Sequence, residues 1–125
     1  MPLGLISAQV DIFLHEGLVE EAIGELEESP DGFHHYSLVE RVADAATHTH
    51  PEWVIHICQK RAELIMNAGK SQHYAHTAEW LRRARESASF SGRQSEWQDY
   101  ISRLLQEHKR KHSLVPLLEQ VKAGR

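Results

Sequence analysis

The chain has 125 residues, of which 41% are hydrophobic and 26% are charged, and its formal net charge is −4. This length predicts a single domain, 1–125, that can bury its own core without disulfides or metals. The sequence has no run of about 18 apolar residues and no basic start followed by an apolar segment, so we expect no membrane span, no membrane partner and no signal peptide. The single cysteine excludes an intrachain disulfide and favours a cytoplasmic location.

The charge is distributed unevenly along the chain. Residues 1–68 contain 12 Asp and Glu against 3 Lys and Arg, a balance of −9, whereas residues 69–125 contain 6 against 11, a balance of +5. Two interpretations are open. The charges lie on solvated helix faces, or they mark a binding surface or two halves that complement each other.

The first two predicted helices span residues 3–15 and 18–27, with a tight corner at Gly17 between them. In both, apolar residues recur at the three- and four-residue spacing of a buried helix face. They are Ile6, Val10, Phe13 and Leu14 in the first helix, and Leu18, Val19, Ala22, Ile23 and Leu26 in the second. The Ser-Pro-Asp-Gly segment at 29–32 is the strongest helix breaker in the chain, and it separates this hairpin from the next.

Two more helices are predicted before residue 69. Ser37 and Glu40 have the spacing of a capping box at the start of the third helix, whose inward residues are Val39, Val42, Ala43 and Ala46. Pro51 suits the first turn of the fourth helix, which has Thr49 or His50 as its cap and runs to about residue 68. This helix is apolar on a broad arc typical of an inner helix, formed by Trp53, Val54, Ile57, Cys58, Ala62, Ile65 and Met66.

Three further helices are predicted, at residues 72–88, about 94–109 and about 114–122. Gly92 lies in the short link between the first two and can end a helix in the left-handed conformation, so these two are predicted to form an antiparallel hairpin. Ser113 is predicted to be the N-cap of the last helix. The buried stripes of the hairpin are Tyr74, Ala78, Trp80, Leu81, Ala84 and Ala88 in one helix, and Trp97, Tyr100, Ile101, Leu104 and Leu105 in the other.

No β-branched residues alternate over five positions, so no strand is expected. Gly17 and Pro51 are 34 residues apart, which is the tetratricopeptide period, but Gly69 and Gly92 are only 23 apart. The predicted fold is therefore all-α. We expect about six or seven helices in antiparallel hairpins, stacked as a degenerate tetratricopeptide-like right-handed solenoid.

The segment 74–118 carries a resemblance to a known family. Its pattern consists of Tyr74, Ala78, Leu81, Arg83 and Arg85, then Gly92, Arg93, Glu96, Trp97 and Tyr100, then His108, Lys109, Arg110 and Lys111, and finally Leu117 and Leu118. This pattern resembles the C-terminal helical region of bacterial SWIM zinc-finger proteins, which is similar to tetratricopeptide-like repeats. The resemblance implies that the chain is a C-terminal fragment of a longer protein. The family's zinc motif uses three cysteines and a histidine, whereas this chain has only Cys58, so binding credited to the finger does not transfer.

The ten histidines raise the question of a metal site. The close sets are His34 with His35, His48 with His50, His73 with His76, and His108 with His112. His73 and His76 have Glu79 one turn further on, which makes a weak surface site conceivable, but we favour polar surface and capping histidines. Cys58 lies in the most apolar helix and is expected to be buried and unreactive. We therefore expect no enzyme, no catalytic residue, no metal and no cofactor.

Two basic clusters form the possible binding surface: Arg82, Arg83 and Arg85, and Lys109, Arg110 and Lys111. Cations suit the C-terminal end of a helix, and they also suit the phosphates of a nucleic acid. Trp80 and Trp97 are better placed as core than as stacking platforms for bases. The prediction is a non-catalytic helical-repeat module that binds a partner protein or another part of its parent chain. The alternative is an accessory nucleic-acid-binding domain that uses the basic C-terminal half. A small hydrolase or metal protein is the third hypothesis.

Overall fold

The computed structural model describes residues 3–28 and 36–125. Within these residues the chain has α-helices, one 3-10 turn and no strand, so the all-α prediction is confirmed. The helices are α1 (Leu3–His15), α2 (Val19–Glu28), α3 (Tyr36–Ala46), α4 (Pro51–Ala68), α5 (Tyr74–Phe90), α6 (Gln94–Glu107) and α7 (Val115–Lys122), and the 3-10 turn is Ser71–His73. The predicted breaker at 29–32 and the pair His34 and His35 lie outside the described residues. No described helix is both long and apolar enough to cross a membrane.

The chain divides into two compact units. The N-terminal unit, Met1–Thr49, contains α1, α2 and α3, and the C-terminal unit, His50–Arg125, contains α4 to α7. Helix packing within each unit follows the buried faces that the spacing of apolar residues predicts. A single domain over 1–125 and a right-handed solenoid stay predictions.

The corner between α1 and α2 is formed by Gly17, as the sequence predicts. Gly17 has a φ of 77°, in the left-handed region that favours glycine. Its amide donates a hydrogen bond to the Leu14 carbonyl (3.2 Å), and the Leu18 amide donates one to the Phe13 carbonyl (2.7 Å). This pair of bonds is the Schellman motif, which satisfies carbonyls left without partners at a helix end. Helix α2 consequently begins at Val19, one residue later than predicted.

The three helices of the N-terminal unit share one core. Its buried residues are Ile6 and Val10 of α1, Ala22, Ile23 and Leu26 of α2, and Leu38, Val39, Val42, Ala43 and Ala46 of α3. Some predicted core residues are less covered: Phe13, Leu14 and Val19 are half-buried, and Leu18 is 38% exposed. Helix α3 begins at Tyr36, so Ser37 lies inside its first turn and does not occupy the predicted N-cap.

In the C-terminal unit, α4 and α5 form the most extensively packed pair of helices, and α7 packs against both α5 and α6. Pro51 occupies the first turn of α4, as predicted, because the amide that proline lacks has no acceptor within the helix there. His50 is at the N-cap position but makes no side-chain capping bond. Ser71 begins the 3-10 turn that precedes α5.

The end of α6 and the start of α7 differ from the prediction, whereas the turn after α5 agrees with it. Gly92 ends α5 as expected, with a φ of 74° and a 2.7 Å hydrogen bond from the Arg93 amide to the Ala88 carbonyl. Helix α6, however, ends at Glu107 rather than near residue 109. Leu114, not Ser113, occupies the N-cap position of α7, so the predicted serine cap is wrong. A buried leucine at this position contributes to the core and leaves the first amides of α7 without a side-chain acceptor.

The core of the C-terminal unit contains two tryptophans. Trp80 is fully buried and Trp97 is 3% exposed, as predicted. The Trp97 ring packs against Tyr100, with 5.9 Å between ring centroids. The other buried apolar residues include Val54, Ile57, Cys58, Ala62, Met66, Tyr74, Ala78, Leu81, Ala84, Ala88, Ile101, Leu104, Leu114, Leu118 and Val121. Trp53, Ile65 and Leu105 were predicted to be inward and are half-buried.

Trp97→Ala is expected to lower the free energy of unfolding by ~3–5 kcal/mol, because removing a buried indole leaves a cavity. Thermal and urea unfolding followed by far-ultraviolet circular dichroism measure the loss. The matched control is Phe90→Ala, since Phe90 is 59% exposed and its removal should cost less than about 1 kcal/mol. An equally small loss for Trp97→Ala would show that the indole does not stabilise the core.

Candidate functional site

The first basic cluster lies on α5, beside the C-terminal end of α7. Arg85 donates from Nη1 to the Val121 carbonyl oxygen at 2.8 Å, and Arg82 donates from Nε to the main-chain oxygen of Arg125 at 2.8 Å. The last carbonyls of a helix lack intrahelical donors and carry partial negative charge, which favours cations there. Burial and the nearby Arg82 lower the pKa of Arg85, but a guanidinium stays charged at neutral pH. These two hydrogen bonds therefore connect α5 to the last turn of α7 and to the residue at the end of the chain.

The third arginine of this cluster, Arg83, lies over the buried ring of Trp80. Its guanidinium carbon is 5.1 Å from the ring centroid, and that of Arg61 on α4 is 5.6 Å away. Such cation–π contacts stabilise by about 0.5–2 kcal/mol. Trp80 thus interacts with one cation from its own helix, α5, and with one from α4. Sequence reasoning missed this contact, although Arg83 follows Trp80 by three residues, a spacing that places both on one helix face.

The second basic cluster lies after α6. Lys111 donates from Nζ to the Met66 carbonyl oxygen at 2.7 Å, at the C-terminal end of α4. Lys109 and Arg110 are exposed, whereas the other four cations of the predicted surface are half-buried. The two clusters therefore contact the ends of two different helices. Of the six predicted surface residues, the structure leaves Lys109 and Arg110 as the pair that faces solvent.

A group of titratable side chains that sequence reasoning did not single out lies between α4 and α6. Burial, and then the negative charge of Glu63, raise the pKa of Tyr100 above its ordinary value, so its phenol stays protonated at neutral pH. Burial and the charge of Lys111 lower the pKa of His108, against the opposing charges of Glu107 and Glu63. Arg103 lies over the Tyr100 ring, with its guanidinium carbon 5.3 Å from the centroid. Tyr100 and His108 are buried, whereas Glu63 is half-buried and Arg103 and Glu107 are exposed, so the group lies at the edge of the core.

The histidine sets are distributed over several surfaces. The His73 and His76 rings are stacked with 6.5 Å between centroids, and Nδ1 of His76 is 3.5 Å from Oε2 of Glu79. In residues 3–28 and 36–125, no group of three His, Cys, Asp or Glu side chains is arranged to hold a metal ion. His108 is buried whereas His112 is exposed, so this pair does not share a face. The Cys58 thiol is fully buried, as predicted.

Among the residues whose burial the structure describes, large apolar side chains are exposed at five positions: Leu5 (49%), Ile12 (57%), Leu18 (38%), Leu64 (56%) and Phe90 (59%). Leu5 and Ile12, with the exposed Ala8 between them, have helical spacing and share one side of α1. We call Leu5, Ala8 and Ile12 the outer face of α1. Sequence reasoning assigned only the opposite side of this helix, with Ile6 and Val10, and missed the outer face. The available signal was that apolar residues occupy both sides of the helix.

Comparisons with protein-family models, with curated proteins and with solved structures found no match to this chain. The resemblance to the SWIM zinc-finger family therefore stays a prediction that depends on the residues of segment 74–118.

Arg85→Met is expected to lower the free energy of unfolding by ~1–2 kcal/mol, because it removes a charged donor from the end of α7 but keeps most of the aliphatic stem. The matched control is Arg110→Met, an exposed position where the loss should stay below about 0.5 kcal/mol. Urea unfolding of both variants measures the difference. Equal losses would mean that the Arg85 contact with Val121 contributes no stability.

The lowered pKa of His108 predicts a specific pH dependence of stability. Between the folded pKa and the ordinary value of 6.5, the unfolded chain binds more protons than the folded chain. The contribution is therefore complete above about pH 6.5, falls as the pH drops below it, and is lost below the folded pKa. The difference in unfolding free energy between the wild type and His108→Gln should accordingly decrease from about pH 7.5 to about pH 5.

His112→Gln is the matched control for this measurement, since His112 is an exposed histidine four residues away. Its unfolding free energy is measured over the same pH range, so that the effect of removing an imidazole from the surface is known. A flat difference for His108→Gln would contradict the lowered pKa.

Proposed function

We propose that the chain is a non-catalytic helical module that binds a partner protein or another part of its parent chain. The observation that carries this proposal is the outer face of α1, where Leu5 is 49% and Ile12 is 57% exposed. Apolar side chains grouped on one helix face are typical of surfaces that another protein covers. Helical hairpins present such faces readily, because each helix has a side that its own hairpin does not bury.

The tetratricopeptide-like repeat character and the relation to the SWIM zinc-finger family belong to the same proposal. Their support is the hairpin corners at Gly17 and Gly92 together with the buried positions of Trp80 and Trp97. On this proposal the chain is one region of a longer bacterial protein. A cytoplasmic location is also proposed, and it is supported by the presence of a single cysteine, which can form no intrachain disulfide.

The placement of the reactive side chains supports a non-catalytic role. Cys58 is fully buried among apolar residues of α4, where a thiol has little nucleophilic character. The raised pKa of Tyr100 keeps the phenol protonated and hence unreactive at neutral pH. Both side chains contribute to packing in the positions that they occupy.

The alternative function is an accessory nucleic-acid-binding domain, and the observation in its favour is the exposed pair Lys109 and Arg110. Two neighbouring cations can contact phosphates. Against it, Arg82, Arg85 and Lys111 already donate to main-chain oxygens of their own unit. Trp80 and Trp97 are buried, so neither offers a ring on which a base could stack.

Two measurements test the proposed function. The immobilised full chain is expected to retain a partner protein from bacterial lysate after nuclease treatment. In mobility-shift titrations, duplex DNA and single-stranded RNA are expected to bind more weakly than ~1 μM at physiological salt. The double variant Lys109→Glu and Arg110→Glu should not change that weak binding. These two positions are suitable for charge reversal because their side chains are exposed, so the fold should tolerate the change.

The alternative would give the opposite result. Wild-type affinity at or below ~1 μM should then fall sharply in the double variant, and the salt slope should flatten by ~1 for each lost phosphate contact. Retention of proteins that is abolished by nuclease treatment would likewise favour nucleic-acid binding over the protein-binding function.

A further inference from the structure

The outer face of α1 forms one continuous stripe along the helix. At 3.6 residues per turn, positions 5, 8 and 12 fall within about 60° of one another. Leu5 and Ile12 are 49% and 57% exposed, and Ala8 between them is also exposed. Ile6 and Val10 lie on the opposite side and are fully buried in the core of the N-terminal unit. The stripe is therefore apolar surface that the packing of α1 against α2 and α3 does not cover.

Acidic residues follow the C-terminal end of this stripe in the chain. Glu16 follows Ile12 by one helical turn and is exposed. Glu20 and Glu21, in the first turn of α2, are exposed as well. Asp11 is paired with Arg41, which also donates to Oγ of Ser7 at 3.0 Å, so this carboxylate is neutralised within the unit. Apart from histidine, the charged residues that directly follow the stripe in the chain are therefore glutamates.

The N-terminal unit as a whole is negatively charged. Residues 1–49 contain 10 Asp and Glu and a single basic residue other than histidine, Arg41, a balance of −9. Arg41 is already paired with Asp11. Any partner of the outer face therefore approaches a strongly negative unit, and its own charge decides whether it is attracted or repelled.

This charge selects among the possible partners. A second copy meeting the outer face through a two-fold axis would bring together two units of balance −9 each. Phosphates of nucleic acid and anionic lipid headgroups would be repelled in the same way. A helix that presents apolar residues flanked by lysine or arginine satisfies both the apolar stripe and the acidic surroundings.

We propose that the outer face of α1 docks an amphipathic helix of a partner protein whose apolar residues are flanked by lysine or arginine. This inference rests on the proposed protein-binding function and specifies its surface and its class of partner. The leucine and isoleucine side chains supply the apolar contact. The glutamates of α2 and Glu16 supply the attraction that selects a cationic helix.

Two synthetic peptides serve as probes, each about 18 residues long, which is enough for an isolated helix to form. They share leucines at three- and four-residue spacing and differ in the flanking residues, which are lysine in one and glutamate in the other. Fluorescence anisotropy of the labelled peptides, titrated with the full chain, measures affinity. The lysine peptide is expected to bind at least ~10-fold more tightly than the glutamate peptide.

The double variant Leu5→Gln and Ile12→Gln removes the apolar stripe without changing the charge, and both positions are exposed, so the fold should be retained. It is expected to weaken the binding of the lysine peptide at least ~10-fold. The matched control is Leu64→Gln on α4, because Leu64 is 56% exposed and Ile12 is 57% exposed. This control should bind the lysine peptide within about twofold of the wild type. Circular dichroism verifies that each variant is folded.

Each other outcome overturns the inference in a different way. Equal binding of both peptides would show that the outer face of α1 does not prefer a cationic helix. Unchanged binding of the lysine peptide by the double variant would place its site elsewhere and leave the protein-binding function standing. Concentration-dependent self-association that the double variant abolishes would assign the face to a second copy. If neither peptide binds, the inference fails, and retention of a partner protein from nuclease-treated lysate decides the proposed function separately.

Discussion

Hydrogen bonds from cationic side chains to carbonyls at the ends of α4 and α7 connect distant segments of the C-terminal unit. The Met66 and Val121 carbonyls each accept a local amide, from Gly69 and Gly124, and their second lone pair can accept another donor. Lys111 supplies one to Met66 across a separation of 45 residues, and Arg85 supplies one to Val121 across 36 residues. Each contact joins segments that are distant in sequence, and each uses a cation, which the partial negative charge at a helix end favours.

This use of cations changes the meaning of the charge asymmetry. The balance of +5 over residues 69–125 overstates the positive charge that a ligand could contact, because part of it is directed to main-chain oxygens and to the ring of Trp80. The negative charge of the N-terminal unit differs from this positive charge, because part of it lies on exposed side chains. Glu20 and Glu21 are exposed on α2, so they remain available to a partner. More of the charge of the acidic half therefore stays at the surface.

The sequence predicts the helices of this chain well and the roles of its long side chains poorly. The bounds of α1 and α4, the corner at Gly17 and the burial of Trp80 follow from spacing, turn chemistry and side-chain size, which are local properties. The serine caps were misplaced: Ser37 lies inside the first turn of α3, and Leu114 rather than Ser113 is at the N-cap of α7. The contacts of Arg85 and Lys111 could not be predicted, because a long flexible side chain reaches acceptors that only the tertiary fold brings near. The outer face of α1 was missed because a helix with apolar residues on both sides gives no clear inward direction.

The distribution of tryptophans has a consequence for how the two units can be observed. Trp53, Trp80 and Trp97 all belong to the C-terminal unit, and residues 1–49 contain no tryptophan. Intrinsic indole emission therefore reports only on the C-terminal unit, whereas the far-ultraviolet helical signal reports on both. Coincident transitions in the two signals would identify one cooperative unfolding reaction, and separated transitions would identify two. The chain thus carries an internal optical reporter for one unit, without any label.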